Sequence, residues 1–573
     1  MSNRNVNTPP NHALPPPRLG GRILADQLAL LGVQKVFCVP GESFLGLLDG
    51  LHDHRDNIQV ITCRHEAGAS NMADAYAKLS GRPGICAVTR GPGATNASNG
   101  IHTAFQDSTP LILLIGQVSR DARDREAFQE INYSKMFGDM AKWVAQIDDV
   151  RRIPEYISRA WHVAQAGRPG PVVLALPEDV LSDSAEIADL RAQPVTRSSP
   201  TIEVMMELGA LIEKAERPLM VVGGPSWSSQ CAREAMDFAA RTGLPVATSF
   251  RCQDYVDNRH ENYVGVIGIG PIPELRQRIM QDVDLLIGVG PRFGEMTTQG
   301  YSLLDIPNPQ MRFVHVHPGA DELNTVYAAD LAITSTPEAF WQTTHAIKNG
   351  NGLTKWAQWR AQQRSDYEAF VVPVDGPGRL NMSEVVRHLS ASLPDDAIFA
   401  NGAGNNTAWV HRFHQYRGYR TQLAPTSGSM GYGVPAAIAA SLAKPDRAVV
   451  CISGDGCFLM TAQELVTAKK YATKVIFIVV NNSMYGTIRM HQERHFPTRV
   501  IATELTNPDF VAYANAFGIA AEKVETTDAF PAALQRARDS NSNYLIELIV
   551  DPEALTPTQT LSEARAQGEA QLY

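Results

Sequence analysis

Residues 448–486 read AVVCISGDGCFLMTAQELVTAKKYATKVIFIVVNNSMYG, and Asp455 and Asn482 within them decide the fold. The apolar run 449–452 predicts a buried strand ending at Gly454-Asp455-Gly456. The two glycines are expected to let the backbone turn sharply and approach a ligand closely. A second run, 475–480, ends at Asn481-Asn482, with a helical pattern between the two. Two parallel strands joined by one helix place their carboxyl ends side by side, where open α/β sheets hold ligands. A carboxylate and an amide oxygen 27 residues apart can then meet over one hard cation. Backbone N–H groups at the following helix start can hold phosphates attached to that cation. Alone, GDG is a weak signal, because Asp-Gly is mostly a plain turn. The strand before it, the helix after it and the Asn-Asn at the next strand end argue for a site.

Working outward, 573 residues are too many for one core. Strand-like runs at 36–39, 58–62, 85–89, 111–115 and 172–175 alternate with helical patterns, which predicts a parallel sheet with crossover helices. A middle block has such runs at 218–222, 245–248, 285–289 and 312–316. The fold class expected is α/β, with three doubly wound parallel-sheet domains. Their bounds are 20–190, 200–350 and 381–551, with a flexible Pro-rich leader at 1–19, a connector at 351–380 and a tail at 552–573. The tail is Thr- and Ala-rich and reads as a mobile flap or disordered end. The first and third blocks look alike in size and style, as an old duplication would leave them.

Composition narrows the class. Hydrophobic content of 44% with 19% charged residues describes a globular chain, and a net charge of −9 gives no reason to expect nucleic acid. Seven scattered cysteines without a CxxC pair predict reduced, buried thiols and a cytoplasmic location. No apolar stretch reaches the roughly 18–20 residues of a membrane span. The middle block carries GVGPRFG, Gly288 to Gly294, after a strand. Its spacing is wrong for a dinucleotide fingerprint and no acidic residue ends the next strand, so a nicotinamide oxidoreductase is disfavoured.

Glu66 stands after the 58–62 run, in RHEAGASNMADAYAKLSG, at the start of an Ala/Gly-rich helix. Taken alone it reads as a helix N-terminal charge complementing the dipole. With the segment ICAVTRGPGATNASNGIHTAFQDSTPLILLIGQV behind it, the chain closely resembles the thiamine diphosphate (ThDP) enzymes of the acetolactate synthase-like group. The likeness covers nearly everything past residue 20. It implies pyrimidine-binding, central and diphosphate-binding domains, in that order. Glu66 falls on the family's catalytic glutamate, which bonds the coenzyme's aminopyrimidine. Asp455, Asn482 and the Met484 carbonyl fall on the Mg²⁺ ligands. Asn405, Asn406, Gly454, Gly456, Cys457, Tyr485 and Gly486 fall on the coenzyme's diphosphate-side contacts. In SGSMGYGVPAA, the Gly428 carbonyl would accept the exocyclic amine and Met430 would wedge the two rings together. Met430 reads equally as a core methionine. AFQE matches the substrate-side pair, so Phe128 and Gln129 are expected to line the reaction site.

The resemblance implies a lyase or carboligase acting on a pyruvate-like 2-oxo acid and a carbonyl acceptor. It also implies a homodimer with shared sites, often paired into a tetramer. Departures qualify the reading. Gly116-Gln117-Val118 stands where pyruvate decarboxylase-type enzymes have a His pair, and Ile488 where they have a glutamate. Arg292-Phe293-Gly294-Glu295 and His315-Val316-His317 replace residues that accompany FAD, which puts that cofactor in doubt. His491 replaces a substrate-selecting tryptophan, and Arg90 a serine before GPGATN. A cation at Arg90 or Arg489 suits a carboxylate or phosphate, or else a surface ion pair. Rival readings are a plain 2-oxo acid decarboxylase, a 2-hydroxyacyl-CoA lyase or oxalyl-CoA decarboxylase-like enzyme, an FAD-dependent pyruvate oxidase-like enzyme and a non-catalytic regulatory subunit.

Overall fold

The structure, a computed structural model, describes residues 16–347 and 350–571. Most of the expected leader, 1–15, lies outside the described residues. Three six-stranded sheets, parallel throughout and flanked by helices, follow one another along the chain. With the strands of each sheet numbered along the chain, the first and third sheets both run 2-1-3-4-6-5, and the middle one runs 3-2-1-4-5-6. The likeness of the first and third blocks is therefore one of topology. In the third sheet the winding reverses between Ile398–Asn401 and Val449–Gly454, which makes a crevice at their carboxyl ends.

The strands Val449–Gly454 and Val475–Asn481 lack polar alternation because helices cover both of their faces. The helix Gly433–Ala443, GVPAAIAASLA, is apolar on every side and so must be covered on every side. It lies against the helix Glu66–Ser80 and the third sheet, fusing first and third domains into one core that includes Phe37, Ile101, Phe458 and Phe477. Small residues permit that approach. A Cβ on Gly68 would meet Glu464 Oε1 at 2.4 Å, and that buried carboxylate accepts from the Arg64 and His65 amides, each at 3.0 Å. The central domain keeps a separate core.

Two expectations change. The strands Trp143–Gln146, Tyr263–Val266, Leu331–Thr334, Ile398–Asn401, Ala520–Val524 and Tyr544–Ile549 went unread; the first three are sheet edges, and Trp143–Gln146 and Leu331–Thr334 have no buried apolar run. The tail, expected as a flap or disordered end, holds a helix at Leu561–Gln571. Leu561 and Ala564 bury against Met484, Met490 and Leu555. Arg565 donates two bonds, 2.7 and 3.0 Å, to the fully buried Glu493, which also accepts from Arg489 Nε at 3.0 Å. All seven cysteines are buried and free. Among the described residues, no helix is long and apolar enough to cross a membrane.

Candidate active site

Asp455 opens the short helix Asp455–Leu459 directly after its strand and is 2% exposed. Its Oδ1 accepts from the Gly456 amide at 2.9 Å and its Oδ2 from Asn507 Nδ2 at 2.7 Å. Asn507 also donates to Asn481 Oδ1 at 3.0 Å, bridging the two strand ends. No cationic side chain among the described residues forms an ion pair with Asp455. Burial pushes its carboxyl pKa up, and the bonds from Asn507 and Gly456 pull it back. A buried carboxylate without counter-charge is costly, so this one suits a bound cation. Asn482 Oδ1 accepts from the Met484 amide at 3.3 Å, and Ser483 turns the loop at φ 56. Bonds from Leu505 to Ser483 and from Tyr485 to Thr503 pin this loop. The Met484 carbonyl accepts one bond, from Gly486, and keeps a second lone pair. No group of three or more His, Cys, Asp or Glu that could hold a metal occurs among the described residues. A metal here would draw on one carboxylate, one amide and one main-chain carbonyl, the oxygen set that Mg²⁺ and Ca²⁺ take.

The glycines act differently from the expectation. Gly454 has φ −63 and Gly456 lies inside the helix, neither in the left-handed region. What demands glycine at 456 is space, because a Cβ there would sit 2.5 Å from Tyr485 Cε1. Across the crevice, Asn406 Nδ2 is buried with no partner, while Gly404 (φ 123) and Gly428 (φ 65) turn in conformations that favour glycine. Asn406 lies near the strand end, its Oδ1 3.4 Å from a Cβ on Gly454, so an unpaired buried donor and an uncompensated carboxylate share one crevice, which fits a cation carrying phosphate oxygens. Asn405 is otherwise engaged: its Oδ1 accepts from Thr487 Oγ1 at 2.8 Å. Cys457 is 3% exposed and its Sγ accepts from the Gly431 amide at 3.2 Å, so only its main chain can reach a ligand. Met430 is half-buried at the loop tip, beside Ser429, which bonds Asn99 of the first domain.

Glu66 is the first residue of the helix Glu66–Ser80, whose N-cap is His65. Its Oε2 accepts from Asn96 Nδ2 at 3.0 Å, and its Oε1 would lie 3.3 Å from a Cβ on Gly93. Gln129 has φ 65 and lies against Gly91, while Phe128 is 73% exposed. Arg90 is not a free cation. It pairs with Glu178 at 2.9 Å and donates to the Phe128 carbonyl at 3.1 Å, so in this chain it makes the ion pair, one of its two readings. Arg489 is likewise held by Glu493.

In the central domain, no helix separates Leu285–Val289 from Arg312–His317, so GVGPRFG opens no helix N-terminus for a pyrophosphate. Its glycines serve the chain's own packing. A Cβ on Gly288 would strike the Phe293 ring at 2.4 Å, and one on Gly290 would strike the Gly223 carbonyl at 2.2 Å. Arg292 is paired with Glu322. His315 bonds the Pro291 carbonyl, and His317 is held neutral, its pKa pushed down to about 4 by burial and its neighbour His315.

A cavity of about 1160 Å³ opens where the three domains meet, lined from the third domain by Gly404, Asn405, Ser427 and Gly428. The helix Gly486–His495 turns Thr487, Met490 and Arg494 toward it. Ile488 (54% exposed) and His491 lie on another face of that helix, turned to solvent within the single chain. Sequence reasoning missed Asn507, Thr487 and Met490. The helical spacing of 487, 490 and 494 was the available signal for two of them.

Comparison with known proteins places this geometry. Residues 18–136 match the thiamine pyrophosphate enzyme N-terminal TPP binding domain, 206–343 its central domain and 402–548 its C-terminal TPP binding domain. A probable acetolactate synthase large subunit of Methanocaldococcus jannaschii is 30% identical over 558 residues, covering 94% of this chain and 93% of the relative. The acetolactate synthase large subunit of Parasynechococcus marenigrum is 31% identical over 551 residues, 93% and 87% of the two chains. Acetolactate synthase isozyme 2 large subunit of Escherichia coli is 29% identical over 535 residues, 93% and 95%. With all three domains present in order, the chain belongs to the thiamine pyrophosphate enzyme family and is a ThDP-dependent, acetolactate synthase-like enzyme.

Proposed function

We propose that this protein is a Mg²⁺-dependent lyase and carboligase that decarboxylates a pyruvate-like 2-oxo acid and joins the remaining fragment to a second carbonyl. When bound, ThDP supplies an acidic thiazolium carbon that adds to the 2-oxo acid carbonyl and takes up the electrons left by departing carbon dioxide. Asp455, Asn482 and the Met484 carbonyl would hold the metal. The Asn406 amide and the main chain at Gly456 and Cys457 would hold the diphosphate. Glu66 would hold a proton on the aminopyrimidine ring nitrogen and so select the tautomer that accepts a proton. Gly428 would fix the exocyclic amine through its carbonyl, with Met430 beneath the rings. Phe128 and Gln129 would close the reaction side and exclude water.

The observation that carries this reading is the buried, uncompensated Asp455 carboxylate at the winding reversal of the third sheet, with the unpaired Asn406 amide near the same strand end. We further propose a cytoplasmic homodimer with shared sites, which pairs into a tetramer. Its support is apolar surface that one chain leaves bare: Phe128, Ile488 (54%), Phe496 (64%) and Ile501 (74%). The two buried His side chains and the paired Arg292 in the central domain support a reading without FAD. The test is product analysis after incubation with ThDP, Mg²⁺ and a panel of 2-oxo acids and aldehydes. Hydroxy ketones or 2-hydroxy-2-alkyl acids are expected. Aldehyde alone would leave simple decarboxylation, and no consumption of any 2-oxo acid would overturn the proposal.

A further inference from the structure

The cavity between the domains carries a charge that the coenzyme's known contacts do not use. Among the described residues, Arg251, Arg412, Arg420 and Arg494 line it and form no ion pair with a carboxylate. Arg251, from the loop after Val246–Thr248, is the most confined, at 7% exposure. Its Nη1 donates to the Pro425 carbonyl at 2.7 Å, and its Nε is buried with no partner. Asp107, which bonds Lys78 and Thr426, attracts Arg251 through space without bonding it. Asp254 is taken by the amides of Thr421 and Gln422, at 2.9 and 3.1 Å. Arg251 (φ 59) and Arg420 (φ 64) both hold left-handed backbone conformations, which are strained for residues other than glycine. Three further lining groups, Arg420 Nε, His411 Nε2 and Ser427 Oγ, are buried and unpartnered. Burial and the adjacent Arg251 push the His411 pKa down to about 3, so it adds a neutral ring to this wall.

A buried guanidinium that no carboxylate bonds, with one N–H left unpaired, is unfavourable unless a ligand brings an acceptor. Resting on the function proposed above, we propose that Arg251 reads the carboxylate or phosphate of a small carbonyl substrate whose other end reaches the coenzyme loops at Gly404 and Gly428. A planar guanidinium with free N–H groups takes either oxyanion through two parallel bonds.

Calorimetry on the ThDP- and Mg²⁺-loaded protein tests this with oxamate, an unreactive carboxylate, and with inorganic phosphate. Arg251→Gln keeps a donor for Pro425 and removes the charge, while Arg251→Lys keeps the charge. Arg251→Gln is expected to weaken one of the two probes roughly 10- to 100-fold, with Arg251→Lys intermediate and ThDP affinity unchanged. The probe that responds tells a carboxylate reader from a phosphate reader. Unaltered binding of both probes overturns the proposal. So does an equal loss of ThDP affinity, which would make Arg251 a strut for the 425–428 loop. Neither reading needs turnover, so a protein inactive toward every 2-oxo acid would refute the proposed function and leave this test intact. In turnover, Arg251→Gln should raise KM for anionic acceptors and spare acetaldehyde. An equal rise for both would contradict selective reading.

Discussion

Asp455→Asn separates what the carboxylate does for the fold from what it does for the ligand. The side chain is 2% exposed, carries no ion pair and has a raised pKa, caused first by burial. A carboxyl whose folded pKa lies above its unfolded value is destabilised when ionised. Folding stability is therefore highest below the unfolded pKa and falls as pH rises toward the folded one. At neutral pH the apoprotein bears that penalty. Asparagine removes the charge but confronts the Asn507 amide, which donates at 2.7 Å, with a choice of one carbonyl oxygen in place of two. Losing a hydrogen bond to a charged group costs about 1.5–3 kcal/mol, and relief of an uncompensated buried charge is of similar size and opposite sign. The apoproteins should therefore melt within about 1–2 kcal/mol of each other. With ThDP and Mg²⁺ at about a hundredfold over Kd, the wild type gains about 2.7 kcal/mol, roughly 5–10 °C on a domain of this size. The variant should gain almost nothing. Scanning calorimetry of both proteins, with and without ligands, reads all four states. An apo variant several kcal/mol less stable, still stabilised by ThDP and Mg²⁺, would refute the reasoning and make Asp455 a purely structural residue.

Four further outcomes are expected. Glu66→Gln should keep ThDP affinity within a few-fold and lose most deuterium exchange at the thiazolium C2, read by NMR after acid quench; normal exchange would remove Glu66 from its role. Gly456→Ala should destabilise the third domain by about 1–3 kcal/mol through overpacking against Tyr485, read by urea unfolding. Arg565→Met should lower hydrogen-exchange protection of Leu561–Gln571 by about 1–3 kcal/mol. Arg565 and Arg489 hold the Glu493 pKa down, from an ordinary 4.5 to about 2, so the latch should be at full strength above pH 4.5 and weaken as pH falls toward 2. The gap between wild type and Arg565→Met should narrow over that window. Finally, the purified protein should be colourless, and flavin in its denatured supernatant would contradict the reading of the central domain.

What the sequence made legible was whatever rests on unbroken apolar runs and on short spacings. Strands 449–454 and 475–481 are buried on both faces, so their composition announces them, and Asp455 and Asn482 follow as their termini. Edge strands such as Leu331–Thr334 bury only alternate residues and gave no such signal. The tail helix was hidden because its few buried residues, Leu561, Ala564 and Gly568, are spaced among polar ones, and its Arg565 depends on a pairing with Glu493, 72 residues away. Arg90 and Arg251 show the same limit for charges. Both are arginines at strand-end loops, yet Glu178 bonds the first and, among the described residues, no carboxylate bonds the second. Only tertiary contacts tell a structural cation from one that waits for a ligand.

The most direct test is a structure determined with ThDP and Mg²⁺ bound. The metal is expected at about 2.0–2.1 Å from oxygens of Asp455, Asn482 and the Met484 carbonyl. The Glu66 carboxylate should lie within hydrogen-bond reach of the aminopyrimidine, with the metal clamp supplied by the other subunit. A coenzyme bound elsewhere, or a Glu66 remote from its ring in the assembled oligomer, would contradict the account.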